Sequence, residues 1–410
     1  MVDVFPIVVG RVAIIRQAPL PRIVGSFFAE PCLMNNRCLL PLALALLMFP
    51  QIAQTLYSPA LGDIGQAFGV APGQAAQSLS LFVLGFAPGV LLWGRLSDRW
   101  GRRPALLGGL GLYVLALVME LQVQSFSALL LCQALAALGA AAGSVVTQTL
   151  LRDRYRGSEL VRVFSLVGML LAASPAIGLF SGSALVQAWG YRGALVGLLL
   201  LALALLGWCA RALPETRPPA QPLAPLVATL WQMLGDPGIW RSALLVAVFN
   251  IALLSYYSLG PFLFRELGQG EQWFGYSGAL LALGSGLGAW LNRRLLARGW
   301  SARRLLVAAA LGVLLGAGGV QALQHSLWLV LPMFGVVLGF GLAIPNILGS
   351  ALAAYSDRLG SAGAWFGLLY YLLIGAGLLL VAWAQALAAS LALCAAAALM
   401  LAWWRAAGRG

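Results

Sequence analysis

The chain has 410 residues, of which 61% are hydrophobic and only 9% charged, with a mean hydropathy of +0.91. A soluble globular protein is nearer a quarter charged, so no water-soluble core could hide this much apolar surface. The net charge of +13 comes entirely from Arg on the basic side, and those arginines sit in short loops rather than on one polar face, which excludes nucleic acid as a partner. The implied solvent is lipid, where only helices and closed barrels satisfy their backbone groups. Continuous Leu/Ala/Val/Gly runs, without dyad alternation, select helices of about 20 residues.

Residues 1–33 carry Arg11, Arg16 and Arg22 but no spanning run and no signal-peptide order. Met34, followed by Asn35-Asn36-Arg37 and a helix, reads as the natural start, so the extension is expected to lie outside the fold. Apolar segments follow at 38–58, 73–93, 104–124, 127–149, 161–185 and 192–212, then at 240–262, 274–292, 303–323, 326–348, 361–381 and 383–404. A proline-rich break at 213–239 divides them into a half at 34–212 and a half at 240–410. The expected fold is therefore all-α and integral to the membrane, with 12 helices.

Arginine placement orients the bundle, because cytoplasmic loops retain the positive charge. With the N-terminus inside, 20 arginines fall on the cytoplasmic side and only Arg192 and Arg265 opposite. Both termini and the linker are thus expected in the cytoplasm, in an inner (plasma) membrane. The five cysteines have no ligand spacing and read as small apolar residues, with neither metal nor disulfide. No cofactor is called for.

The second segment ends in Gly94-Arg95-Leu96-Ser97-Asp98-Arg99-Trp100-Gly101-Arg102-Arg103-Pro104. Topology alone would need only the arginines; an acid followed by Gly and paired Arg in fixed order is a stronger signal. The second half repeats it weakly as Gly288, Asn292, Arg293 and Arg294. This string resembles the signature loop of the major facilitator superfamily, and the repeat matches that superfamily's two pseudo-symmetric six-helix halves. The run from Gln51 to Ile64, Leu213-Pro214-Glu215-Thr216-Arg217-Pro218 and Trp189-Gly190-Tyr191-Arg192 resemble the twelve-helix drug/proton antiporters, of the multidrug resistance protein D and bicyclomycin-resistance type. The resemblance implies proton-coupled export of small amphipathic drugs or metabolites by a monomer. It also implies a gating loop built from Gly94, Asp98, Arg99, Gly101, Arg102 and Asp153. In that family Asp98 would meet the start of the eleventh helix, near Ser361, when the cavity faces outward, with Arg102 paired to Asp153. Where the family often has an acid in the first helix and an Arg in the fourth, this chain has Thr55 and Gln133, so proton coupling does not follow from the pattern. A degraded Gly178–Ser183 run replaces the antiporter motif.

In this fold the first and fourth helices of each half line a midplane cavity. Gln51, Gln54, Thr55 and Ser58 form one polar stripe, which cannot face lipid cheaply. Gln133, Ser144, Thr147 and Gln148 in the fourth segment, Asn250 and Tyr257 in the seventh, and Asn346 in the tenth complete the expected lining. Interhelical hydrogen bonding is the competing reading, particularly for Ser58. Only Glu120, near the outer end of the third segment, is an acid inside a span. It and Asp98 are the proton-coupling candidates, although Glu120 also reads as an interfacial acid reaching water. A cavity without carboxylates suits neutral, zwitterionic or weakly amphipathic cargo. Export or uptake of a metallophore or siderophore by the same fold stays open. A membrane-embedded enzyme would need a catalytic set that one loop histidine, His325, and one acid do not supply.

Overall fold

The structure, a computed structural model, describes residues 36–217 and 226–404. The extension at 1–33, the linker stretch 218–225 and the terminal Arg405 and Arg409 lie outside the described residues. Every apolar segment folds as a helix, since lipid offers no partner to an open backbone. Helix α1 (Asn36–Tyr57) passes through a 3₁₀ turn (Ser58–Ala60) into α2 (Leu61–Phe68). Then come α3 (Pro72–Trp100), α4 (Arg102–Glu120), α5 (Phe126–Arg154) and α6 (Gly157–Ala212). A short α7 (Leu226–Leu234) precedes α8 (Pro237–Glu266), α9 (Glu271–Ala297), α10 (Ala302–Leu323), α11 (Val330–Ala351), α12 (Leu359–Ala384) and α13 (Leu387–Trp403). Among the described residues, nine helical stretches are long and apolar enough to cross a membrane. The two limbs of α6 make separate crossings, and α9 and α13 complete the twelve.

Local chemistry fixes the ends. Ser125 caps α5 by accepting from Ala128 N at 3.3 Å, and Asp236 caps α8 from Gly238 N at 2.8 Å, followed by Pro237 in the first turn. Within α6 the backbone breaks at Trp189 and Gly190, the latter at φ +65°, a conformation glycine adopts without steric cost. That break separates the expected fifth and sixth segments. Several boundaries differ from the sequence expectation. The third segment stops at Glu120 rather than 124, the tenth starts at Val330 after a 3₁₀ turn, and the eighth runs on to Ala297. The linker contains α7. The signature loop shrinks to one residue, because α3 continues to Trp100 and α4 begins at Arg102. Hydropathy marks only the apolar core of a helix, whereas the hydrogen-bond ladder continues into the charged turns beyond it.

Small residues set the packing. A side chain at Gly85 or Gly89 would run into the backbone of Ala134 or Leu138 in α5, and Trp93 Nε1 donates to Leu138 O at 2.7 Å. The equivalent approach in the other half places Gly288 of α9 against Gly341 of α11, where an added Cβ would meet Gly341 Cα at 3.1 Å. Without a hydrophobic drive between helices in lipid, close backbone contact of this kind supplies the cohesion. The halves meet where α3 packs on α12 and the first limb of α6 packs on α9. Two buried clusters result, one centred on each half, with Phe262 and Ala382 joining the first and Leu79, Val83 and Leu179 joining the second.

Candidate functional site

Between the halves lies a cavity of about 650 Å³, within the usual range for small-molecule sites. Its walls come from α1, α3, α6, α8, α9, α11 and α12. Of the expected lining residues, Gln51, Gln54, Asn250 and Tyr257 face it. Pro50 and Pro175 flank the polar stripe, while Phe82, Phe86, Phe340 and Tyr371 supply aromatic walls. Phe86 and Tyr371, from opposite halves, sit with ring centroids 4.8 Å apart.

The remaining expected residues are elsewhere. Thr55 is fully buried, and its hydroxyl donates back to Gln51 O at 2.8 Å beneath Gly178 of α6. Ser58 is also buried and donates to the backbone oxygen of Tyr257 across the halves, the interhelical role weighed for it. Gln133 donates from Nε2 to Glu120 Oε1 at 2.8 Å inside the first half. Thr147 is buried with its hydroxyl unpartnered, and Gln148 bonds Ser144 at 3.4 Å on the same helix. The fourth crossing, α5, therefore contributes no lining residue, contrary to expectation. Its small face is consumed by packing against α3 and α4. Asn346 stands one layer back, donating to Asn292 Oδ1 at 2.7 Å, and it is Asn292 that reaches the cavity. Glu120 is 2% exposed, which corrects the reading of it as an interfacial acid in contact with water.

No carboxylate lines the cavity, and Arg293 is its one charged lining residue among those described. Arginine counting had assigned Arg293 to topology alone. Its place in the weak repeat of the signature string, next to Asn292, was the available signal.

The cavity extends toward the arginine-rich end, where Phe164, Ser165 and Arg293 line it. At the arginine-poor end the halves are tied. Arg265 of α8 pairs with Asp63 of α2 and with Glu271 of α9, each at 2.9 Å. At the arginine-rich end Arg102 ties elements of the first half together, and Arg241 donates to Leu401 O within the second. Arg102, 6% exposed, bonds Asp153 and Asp98 at 2.9 Å and Ser97 O at 2.8 Å. Among the described residues, Asp98 pairs with Arg102 and no hydrogen bond or ion pair joins it to α12.

One participant was missed. Glu215 accepts from the backbone N–H of Arg102 (2.8 Å), Arg103 (3.1 Å), Thr216 (3.0 Å) and Arg217 (2.9 Å). It thereby caps the N-terminus of α4, whose dipole favours an anion. Burial by itself would raise the Glu215 carboxyl; the four N–H groups outweigh it and hold the group below its ordinary value. Gly101, at φ +110°, is required beneath it, because a Cβ there would collide with the Glu215 carboxylate. Arg217 completes the clasp by donating to Arg99 O at 2.7 Å. The Pro-Glu-Thr-Arg string was visible in the sequence, but its partner lies more than 100 positions away.

Known proteins bear on this arrangement. The Major Facilitator Superfamily model matches residues 43–378. Multidrug resistance protein D of Escherichia coli (strain K12) is 27% identical over 84% of this chain and 88% of its own length. A chloramphenicol resistance protein of Pseudomonas aeruginosa is 31% identical over 80% of each chain. Among solved structures, a D-xylose-proton symporter superposes with a TM-score of 0.72 at 14% identity, over 90% of this chain and 97% of that one, which speaks to the fold alone. Two six-helix halves around a central cavity, an intact signature string and this run of relatives have one reading: the chain is a multi-pass membrane transporter, not an enzyme, and belongs to the major facilitator superfamily.

Proposed function

We propose that the protein is a proton-coupled exporter of small amphipathic molecules, working by alternating access in a plasma membrane with both termini in the cytoplasm. The observation that carries this reading is the cavity itself: amide and phenol groups of Gln51, Gln54, Asn250 and Tyr257 set in apolar and aromatic walls, without a carboxylate. Such a surface binds a neutral molecule through dispersion and a few hydrogen bonds. It offers a lone cation no counter-ion in a low-dielectric site. The opening toward the arginine-rich end and the Arg265 ties at the other support an inward-facing conformation. Asp98, Arg99, Gly94, Gly101, Arg102 and Asp153 then act as the inner gate, closing on α12 when the cavity turns outward.

The test is uptake into inverted membrane vesicles with and without an imposed proton gradient. Labelled chloramphenicol serves as the neutral probe, chosen from the chloramphenicol resistance relative, and ethidium as the cationic one. Gradient-dependent uptake of chloramphenicol but not ethidium is the expected result. Uptake indifferent to the gradient refutes coupling, and preference for ethidium refutes the cargo class. Arg293 at the cavity mouth favours a second cargo class, a metallophore bearing carboxylates, which the same vesicles would report as competition with chloramphenicol.

A further inference from the structure

We propose that Glu120, together with Gln133 and Tyr57, forms the proton-binding site of the transporter, outside the cargo cavity and loaded from the arginine-poor end. The inference rests on the proton-coupled reading above and names the site that performs it.

Glu120, Gln133 and Tyr57 are each 2% exposed. Gln133 satisfies Oε1 at 2.8 Å, whereas Oε2 is sealed from solvent with no hydrogen-bond partner. The Tyr57 hydroxyl, likewise unpartnered, faces the same carboxyl without closing a bond. The other groups around the acid are Tyr113 of its own helix and Cys132 of α5, with Ser78 of α3 behind Tyr57. Among the described residues no ion pair reaches Glu120. A carboxylate here would be a buried charge held by one neutral donor, a costly state. A carboxylic acid fits instead: Gln133 serves Oε1, and a proton on the unpartnered Oε2 removes the buried charge. The step is simple in its balance. A proton from water adds to the carboxylate, later returns to water, and no other bond changes.

Access and coupling follow from position. Glu120 is the last residue of α4, and exposed Gln122 and Gln124 follow it in the loop before α5. Water at the arginine-poor end is therefore one helical turn away. On α1, Gln54 faces the cavity, Tyr57 covers the acid, and Ser58 bonds Tyr257 O in the other half. These three lie within five residues, where α1 yields to the 3₁₀ turn at Pro59. Opening the arginine-poor end must break the Ser58 bond, and that shifts Tyr57 off the carboxyl. The cavity-facing Gln54, the Tyr57 that covers the acid and the Ser58 that ties the halves thus share one turn of helix.

Infrared difference spectroscopy of the full-length protein in liposomes tests the site without needing cargo. The wild type should show a carboxylic-acid carbonyl band that titrates with pH and is missing from Glu120→Gln. Absence of that band in the wild type, or its persistence in Glu120→Gln, overturns the proposal. If Glu120→Gln does not fold, Tyr57→Phe, which keeps the ring packing, decides: its band must titrate at a different pH, and an unchanged profile overturns the site. In vesicles, Glu120→Gln should lose gradient-driven accumulation of chloramphenicol yet retain exchange of labelled for unlabelled compound. Wild-type accumulation by this variant would sink the inference and leave proton coupling standing. A wild type indifferent to the gradient would sink the coupling itself.

Discussion

Asp98 and Asp153 both hold the Arg102 guanidinium at 2.9 Å, yet their surroundings differ, and replacing each by Asn should separate stability from transport. The Asp153 side chain is 15% exposed and Arg102 7%, so that pair sits largely out of water, whereas Asp98 is 47% exposed. Stripping one partner from a fully buried pair costs ~3–5 kcal/mol. Asn at 153 keeps one acceptor oxygen, and Arg102 keeps Ser97 O and Asp98, which brings the expected loss down to roughly 2–3 kcal/mol. An exposed pair is worth only ~0–1 kcal/mol, so Asp98→Asn should barely destabilise. Transport should rank the other way. In the gate proposed above, Asp98 meets the N-terminal turn of α12 only when the cavity turns outward, so neutralising it would remove a contact made in one of two states. Asp98→Asn should reach the membrane at near-normal levels but lose most transport, with weaker cysteine cross-linking across the arginine-rich end. The buried free thiols of Cys132, Cys209 and Cys394 provide the stability assay, since a thiol-reactive dye reports their exposure on heating. Equal loss of thermal stability in the two variants would refute this division of labour. Normal transport by Asp98→Asn would reduce the string to a topology signal.

Gln54→Leu should cut vesicle uptake while leaving folded yield intact, because Gln54 faces the cavity; Gln133→Leu should also lower the melting temperature, since it leaves Glu120 unpaired at a cost of ~1–3 kcal/mol. Glu215→Gln should destabilise at neutral pH through loss of the α4 cap. Because the folded Glu215 carboxyl is lowered from its ordinary value, its contribution is full above the unfolded value of about 4.3 and is lost as pH falls through the folded one. The melting-temperature gap between wild type and Glu215→Gln should therefore close in acid, and a gap independent of pH would count against the cap. Gly288→Leu should abolish the α9–α11 contact and reduce folded protein on size-exclusion chromatography, whereas Gly318→Ala, with open space around it, should be tolerated or mildly stabilising.

The sequence by itself determined the solvent, the helix count and the family. Each rests on information local in the chain: the length of an apolar run, the sign of the charges flanking it, and the order of residues in one short string. The site was only partly legible for the same reason. Gln51 and Gln54 were found because a polar stripe on one helix has to face something other than lipid. Nothing local distinguished Gln54, which faces the cavity, from Thr55, the next residue, which turns into the packing. Helix rotation decides that, and rotation is set by close approaches such as Thr55 on Gly178. Tertiary structure alone turned Gln133 away from the cargo and onto Glu120, set Glu215 on the helix end beside Gly101, and brought Arg293 to the cavity mouth. In each case the deciding partner lies on another helix, and only packing in three dimensions brings the two together.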